Sequence, residues 1–198
     1  MKKPIPLLTP TAYFPPAHWF IGARDAGAWE VEGHENYQKG GWRNRCQIAG
    51  PNGPQLLTVP LEKGKHQRKP ITEVRISYRN DWWREHEQSI RTAYGRSPYY
   101  EYYAEEIFTI PRAQPETLWE LNQSLNATIT RLLQWPVLPS VTEGFVLPTS
   151  TDYLRPADLP DALAAYPQVF TDRFGYLDGL SVLDVLFCLG PGVLVRNF

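Results

Sequence analysis

Apolar and polar positions follow two different rhythms along this chain, and the change falls near residue 80. In the first part the runs are short. Residues 5–8 read as a strand stopped by Pro10. Pro15 and Pro16 open a helix running to about Gly27, with proline at the start and glycine at the stop. Residues 28–32 (AWEVE) alternate as a second strand. Residues 46–49 and 55–59 flank Gly50-Pro51-Asn52-Gly53, which predicts a β-hairpin. A polar loop at 62–69 leads to ITEVRIS, residues 71–77, whose alternation predicts another strand.

Beyond residue 80 the apolar spacing becomes three and four. A helix over 81–94 carries Asp81 at its N-cap and the stripe Trp83, His86, Ile90 and Tyr94. Pro98 starts a second helix, YYEYYAEEIF. Pro115 starts a third, whose apolar face is Leu118, Leu121, Leu125, Ile129 and Leu132. Residues 136–160 are proline-rich and irregular, and 180–189 form an apolar helix closed by Gly190. The expected fold is mixed α/β or α+β, built on a mixed β-sheet with an early crossover helix and a hairpin. One domain spans 1–198, strand-rich over 1–80 and mostly helical over 81–198.

Composition narrows the class. With 42% hydrophobic and 21% charged residues in 198, the chain is globular rather than disordered. Twenty Lys and Arg against 21 Asp and Glu leave a net charge of −1, which argues against nucleic acid as a partner. Cys46 and Cys188 have no metal-ligand spacing; a reduced cytoplasmic protein is the simpler reading, and one long-range disulfide the alternative. Prolines interrupt the N-terminal segment, so it does not read as a secretion signal. No run approaches the ~20 apolar residues of a membrane span. Seven Trp, eleven Tyr, eight Phe and 19 Pro suggest a rigid, loop-rich surface with aromatic-lined concavities. P-loop, GxSxG, HExxH and GxGxxG motifs are all missing from the sequence.

Several residues could still carry chemistry. Lys39, Arg43, Asn44 and Arg45 place two guanidinium forks, an ammonium and an amide just before a strand, a set suited to gripping phosphate or carboxylate. The plain alternative is a solvated loop with surface salt bridges. His86, on an apolar stripe, is either a packed boundary residue or a base facing a pocket. His18 occupies the first turn of a helix after a strand, where anions often sit, although boundary packing is the simpler reading. Tyr99, Tyr100, Tyr102 and Tyr103 would stack on a sugar or fill a core. Asn126 heads a formal glycosylation sequon inside a helix. Asp184, the single charge in SVLDVLFCLG, must be paired or hydrogen-bonded if buried.

Taken in order, TAYFPP, YQK with WRNRCQI, PNGPQLLTVPL, WREHEQSI with YGRSPYYEYY, and YPQVF with LSVLDVLF resemble the WbqC-like family of bacterial proteins over roughly residues 7–189. Its members are often encoded among genes for O-antigen and other surface polysaccharides. The resemblance implies a transferase that moves a glycyl or similar acyl group from an anionic small-molecule donor to a sugar acceptor. A non-catalytic scaffold of a polysaccharide assembly is the alternative. No cofactor or metal is named by it, and self-association is compatible with it. The matched positions are Tyr13, Tyr37, Lys39, Trp42, Asn44, Arg45, His86, Gln168 and Asp184. His86 and Asp184 would be catalytic and the others would bind substrate. Thr9 and Thr11 replace an amide pair usual in the family, Gly33 and His34 replace an acidic pair, and the segment before YPQVF is shortened.

Overall fold

The computed structural model describes residues 6–64, 69–146, 165–192 and 194. Ile5, part of the polar loop (65–68) and most of the prolyl segment (147–160) lie outside them. Strand β1 (Leu7–Pro10) is buried at every position, the pattern of a strand covered on both faces in a parallel sheet. It leads through Phe14, whose φ of 47° is left-handed, into α1 (Ala17–Ala26). Gly27 ends α1 with φ +70°, returning its N–H to the Arg24 carbonyl. Strand β2 (Trp29–Glu32) then pairs parallel with β1, Leu7 opposite Trp29 and Pro10 opposite Glu32. The Trp29 indole donates to Thr9 Oγ1 at 2.9 Å, so the two strands share a polar tie as well as a ladder.

Strands β3 (Arg45–Gly50) and β4 (Gly53–Thr58) form the antiparallel hairpin that the Gly50–Gly53 turn predicts. Residues 71–77 do not form a strand. Pro70 starts a single 3-10 turn (Ile71–Glu73), and only isolated bridges follow, Ile76 with Leu61 and Arg75 with Thr117. Ile71 and Val74 are fully buried three residues apart; the alternation begins only at Val74, too late for a ladder.

Helix α2 (Trp82–Tyr94) buries Trp82, His86, Ile90, Ala93 and Tyr94. Trp82, four residues before His86, therefore holds the place on the stripe expected for Trp83, which is only half-buried and carries Arg84 over its ring. Asp81 occupies the N-cap position, but its side chain makes no capping bond and instead lies 3.4 Å from Arg84. Helices α3 (Tyr100–Arg112) and α4 (Leu118–Leu132) follow. The α4 start is a capping box, Thr117 and Glu120 exchanging two 3.2 Å bonds, and its expected apolar face is buried throughout. Beyond α4 the two-residue strand β5 (Ser140–Val141) pairs parallel with β2, giving a sheet ordered β1-β2-β5. A single turn, α5 (Thr171–Phe174), precedes α6 (Val182–Leu189), whose first six residues are all buried. The fold is mixed α/β.

Helix α6 is the central core element, packed by α1, α2, α3 and β3. Phe187 meets Tyr94 and Tyr100 at centroid distances of 5.5 and 5.2 Å. Gly190 ends it with φ +77°, and a Cβ there would lie 2.6 Å from the Tyr99 ring. Gly190→Ala is expected to cost about 1–3 kcal/mol, through strain and displacement of that ring. Urea unfolding checks this against Gly27→Ala, where φ is also positive but no atom lies within 4 Å, so the loss should be smaller.

Candidate functional site

Two loops converge on the start of β3. The β1–α1 loop is pinned by the Tyr13 N–H donating to the Trp42 carbonyl at 3.0 Å, which places the fully buried Tyr13 side chain against α2. There the Tyr13 hydroxyl and His86 Nδ1 are 3.0 Å apart, and Trp82 lies edge-on to the imidazole at 5.1 Å. Burial pushes the His86 pKa down to about 4, with the Thr58 backbone carbonyl beside the ring only partly opposing it. Burial also raises the Tyr13 phenol well above its ordinary range. Both groups are thus neutral at pH 7, and one proton lies between them.

The 33–45 segment is organised by polar side chains turned inward. Arg43 grips Glu35 through Nε (2.7 Å) and Nη2 (2.5 Å), both side chains buried, and Asn122 Nδ2 donates to the Arg43 carbonyl at 2.8 Å. The Tyr37 hydroxyl donates to Asn44 Oδ1 at 3.1 Å. Asn44 Nδ2 donates in turn to the Val59 carbonyl at 2.9 Å, locking the loop to the end of β4. Of the expected anion grip, Arg43 is therefore committed internally and Asn44 is bonded within the protein. Lys39 is exposed. Arg45 lies near enough to Tyr37 to lower its phenol pKa, against the dominant upward push of burial. Arg45 Nε and Trp42 Nε1 are buried donors that find no acceptor among the described residues.

Gln168 and Asp184 belong to a second centre. Asp184 Oδ2 accepts from the Tyr166 hydroxyl at 2.7 Å and from Gln168 Nε2 at 3.1 Å. The Tyr94 hydroxyl, which accepts from the Ala49 N–H at 3.0 Å, lies against the same carboxylate. Burial raises the Asp184 pKa, and these three donors offset it in part. The Gln168 amide also brackets Leu177, donating to its carbonyl and accepting from its N–H, each at 2.8 Å. The two centres occupy opposite ends of β3, Arg45 at one and Ala49 at the other, about 13 Å apart for four strand residues. His86 and Tyr94 span the same gap along two turns of α2, about 12 Å.

Sequence reasoning missed the group that faces outward from the first centre. Tyr78 lies 5.9 Å from the Trp82 ring and acts electrostatically on Tyr13. It lines an open cleft of about 560 Å³ together with Leu61, Glu62, Lys63, Ser77 and Arg79. The only signal was four-residue spacing from Tyr78 to Trp82 and on to His86, spread over a loop and a helix. His18, by contrast, is buried at the start of α1 with Nε2 3.0 Å from Asp178 Oδ1. The α1 N-terminus is occupied by protein, because the Leu180 carbonyl accepts from the Ala17 N–H.

The atypical positions have structural partners too. Thr9 accepts from Trp29, while buried Thr11 Oγ1 has no partner among the described residues. A Cβ at Gly33 would lie 2.8 Å from Val141 and 3.1 Å from the Trp119 ring, so a side chain here would have to displace one or both. The His34 ring bonds the Thr142 carbonyl at 2.9 Å. Of the tyrosine cluster, Tyr100 enters the core and Tyr99, Tyr102 and Tyr103 pack together outside it. Both cysteines are free thiols, so no long-range disulfide joins them. Among the described residues no three His, Cys, Asp or Glu side chains converge as a metal-ligand set, and no helix is long and apolar enough to cross a membrane.

No curated protein and no solved structure matches the chain. The family model described as "WbqC-like protein family" matches residues 11–143, about two thirds of the sequence. The matched span holds Tyr13, Tyr37, Lys39, Trp42, Asn44, Arg45 and His86, and ends before Gln168 and Asp184. The gathered first centre and the family match coincide, and the chain belongs to the WbqC-like protein family.

Proposed function

We propose that this protein is a group transferase that moves a glycyl or related acyl group from an anionic activated donor to an amine or hydroxyl of a sugar. The observation that carries this reading is the buried, neutral Tyr13–His86 pair, connected through Trp82 to Tyr78, which lines a cleft that also bears Glu62, Lys63 and Arg79. An uncharged imidazole at pH 7 is in the protonation state a general base needs. In the proposed step the acceptor nitrogen or oxygen bonds to the donor acyl carbon while its proton passes to His86. The bond to the leaving group breaks with the electron pair staying on the phosphate- or thiol-bearing fragment, which the proton, relayed through Tyr13, neutralises. Arg45 and Trp42 Nε1 supply donors to the anion, Lys39, Lys63 and Arg79 steer it, and the Tyr37–Asn44 bond, with Asn44 tied to the Val59 carbonyl, fixes the loop that leads into Arg45.

A base with so low a free pKa is strengthened when an anion arrives, since negative charge nearby favours the imidazolium. The titration of the His86 ring protons, followed by NMR, is therefore expected to move upward from about 4 when a donor binds. Purified protein offered acyl-CoAs or acyl phosphates, with nucleotide sugars as acceptors, should yield an acylated sugar detected by mass. His86→Gln should lower the rate by about 10²–10⁴-fold with folding intact. Equal product formation by the folded variant would sink the assignment.

A non-catalytic binding role draws on a different surface. Leu138 and Phe145 are 72% and 58% exposed beside β5, an apolar display that a scaffold partner would cover. On that reading His86→Gln leaves every binding readout unchanged and no donor is turned over.

A further inference from the structure

At the far end of α2 a second cleft, also about 560 Å³, opens between that helix, the turn at 95–98 and the 167–170 segment. Its rim is basic. Arg91 pairs with Glu87 at 3.1 Å, a carboxylate also held by Arg112 at 2.8 Å, while Arg112 reaches Glu105 as well at 2.6 Å. Arg96 is exposed and joins no ion pair among the described residues. The carbonyls that end α2 do not cancel this charge. The Gly95 N–H takes the Arg91 carbonyl at 2.8 Å, and both the N–H and the hydroxyl of Ser97 take the Tyr94 carbonyl.

Beneath the rim the lining is apolar: Ala93, Pro98, Val169 and Phe170. The far wall is held in advance of any ligand. Gln168, 9% exposed, brackets Leu177 with two 2.8 Å bonds and ties to the fully buried Asp184, so the 167–170 segment has little freedom left to lose on binding. A bare inorganic ion would leave the apolar floor unused, and a neutral apolar molecule would leave Arg96 unanswered. We propose that this cleft is a second ligand site, which takes a phosphate monoester or carboxylate carried on a flat apolar group. The anion would lie on the planar forks of Arg96 and Arg91 and the flat group on Phe170 and Val169. The site stands apart from the Tyr13–His86 centre by the length of two helical turns and does not depend on the transfer reading.

Phenyl phosphate is a suitable probe, followed by calorimetry and by backbone amide shifts of the full chain. Saturable binding is expected, with shifts concentrated at 91–97 and 168–170. Arg96→Ala should weaken it by about tenfold or more. Inorganic phosphate should bind at least about tenfold less tightly. Binding should persist in His86→Gln, which separates this site from the first cleft. The proposal is overturned by any of four results: no saturable binding up to about 10 mM, inorganic phosphate binding as well as the phenyl ester, unchanged affinity in Arg96→Ala, or shifts that map to 61–63 and 77–79.

Discussion

Glu35→Ala is expected to destabilise the protein by about 3–5 kcal/mol, the range for removing one member of a buried, bonded ion pair. Glu35 is the only carboxylate joined to Arg43 among the described residues, through two short parallel bonds, and the two side chains are 5% and 3% exposed. Without Glu35 the guanidinium remains where neither water nor another anion reaches it. The damage should spread along the backbone, because the Glu35 carbonyl accepts from Ile71 N–H and the Arg43 carbonyl from Asn122. Replacing both members, Glu35→Leu with Arg43→Met, should recover much of the loss, since the desolvation cost vanishes with the charges. Urea unfolding of both variants decides the matter. A loss below about 1 kcal/mol in the single variant would mean the pair behaves like a surface bridge. Arg75 and Glu62, each half exposed and 3.6 Å apart, provide that comparison.

Stability is expected to fall by about 3 kcal/mol on account of His86 alone as pH drops from 6.5 to 4. The unfolded chain takes up a proton on this histidine near 6.5, whereas the folded protein resists until about 4. Within that window the unfolded state binds more protons, so protonation favours unfolding, and stability rises with pH. Asp184 works the other way: its raised pKa lets the folded state keep a proton that the unfolded state has released, so its contribution weakens as pH rises. His18 is also depressed by burial and acts in the same direction as His86. The His86 share is isolated by subtracting the pH profile of His86→Gln from that of the wild type between pH 4 and 8. A difference that does not vary with pH would show the imidazole to be freely protonated in the fold.

What could be read from the sequence was local. The Gly50–Gly53 turn, the proline start and glycine stop of α1, and the leucine face of α4 are each encoded within a few residues, and all formed as expected. The 71–77 segment misled because Val74 and Ile76 alternate like a strand while Pro70 and Ile71 set up a tighter turn. The stripe of α2 starts at Trp82 rather than at the expected Trp83, because these adjacent residues differ only in which helix face the neighbouring chain covers. The site was less legible. Tyr13 and His86 are 73 residues apart, and nothing near either names the other. Arg43 and Arg45 look equivalent in sequence; only the folding back of Glu35 commits one, while Nε of the other finds no acceptor among the described residues. Gln168 and Asp184 are implicated by resemblance to the family, and the fold sets them at the opposite end of β3.

The pairing of β2 with β5 has a bearing on how the chain is made. Their contact closes over a separation of 110 residues, as the Thr142–Glu32 bond at that junction illustrates. During synthesis β1, α1 and β2 emerge before β5 and can assemble as a unit, but one flank of β2 stays unpaired until the residues after α4 have been translated. Glu32, 2% exposed in the finished fold, waits in that interval without Thr142 and the Val146 N–H that later engage it. Its charge makes the open flank a poor template for a second nascent chain, the protection that exposed strand edges require.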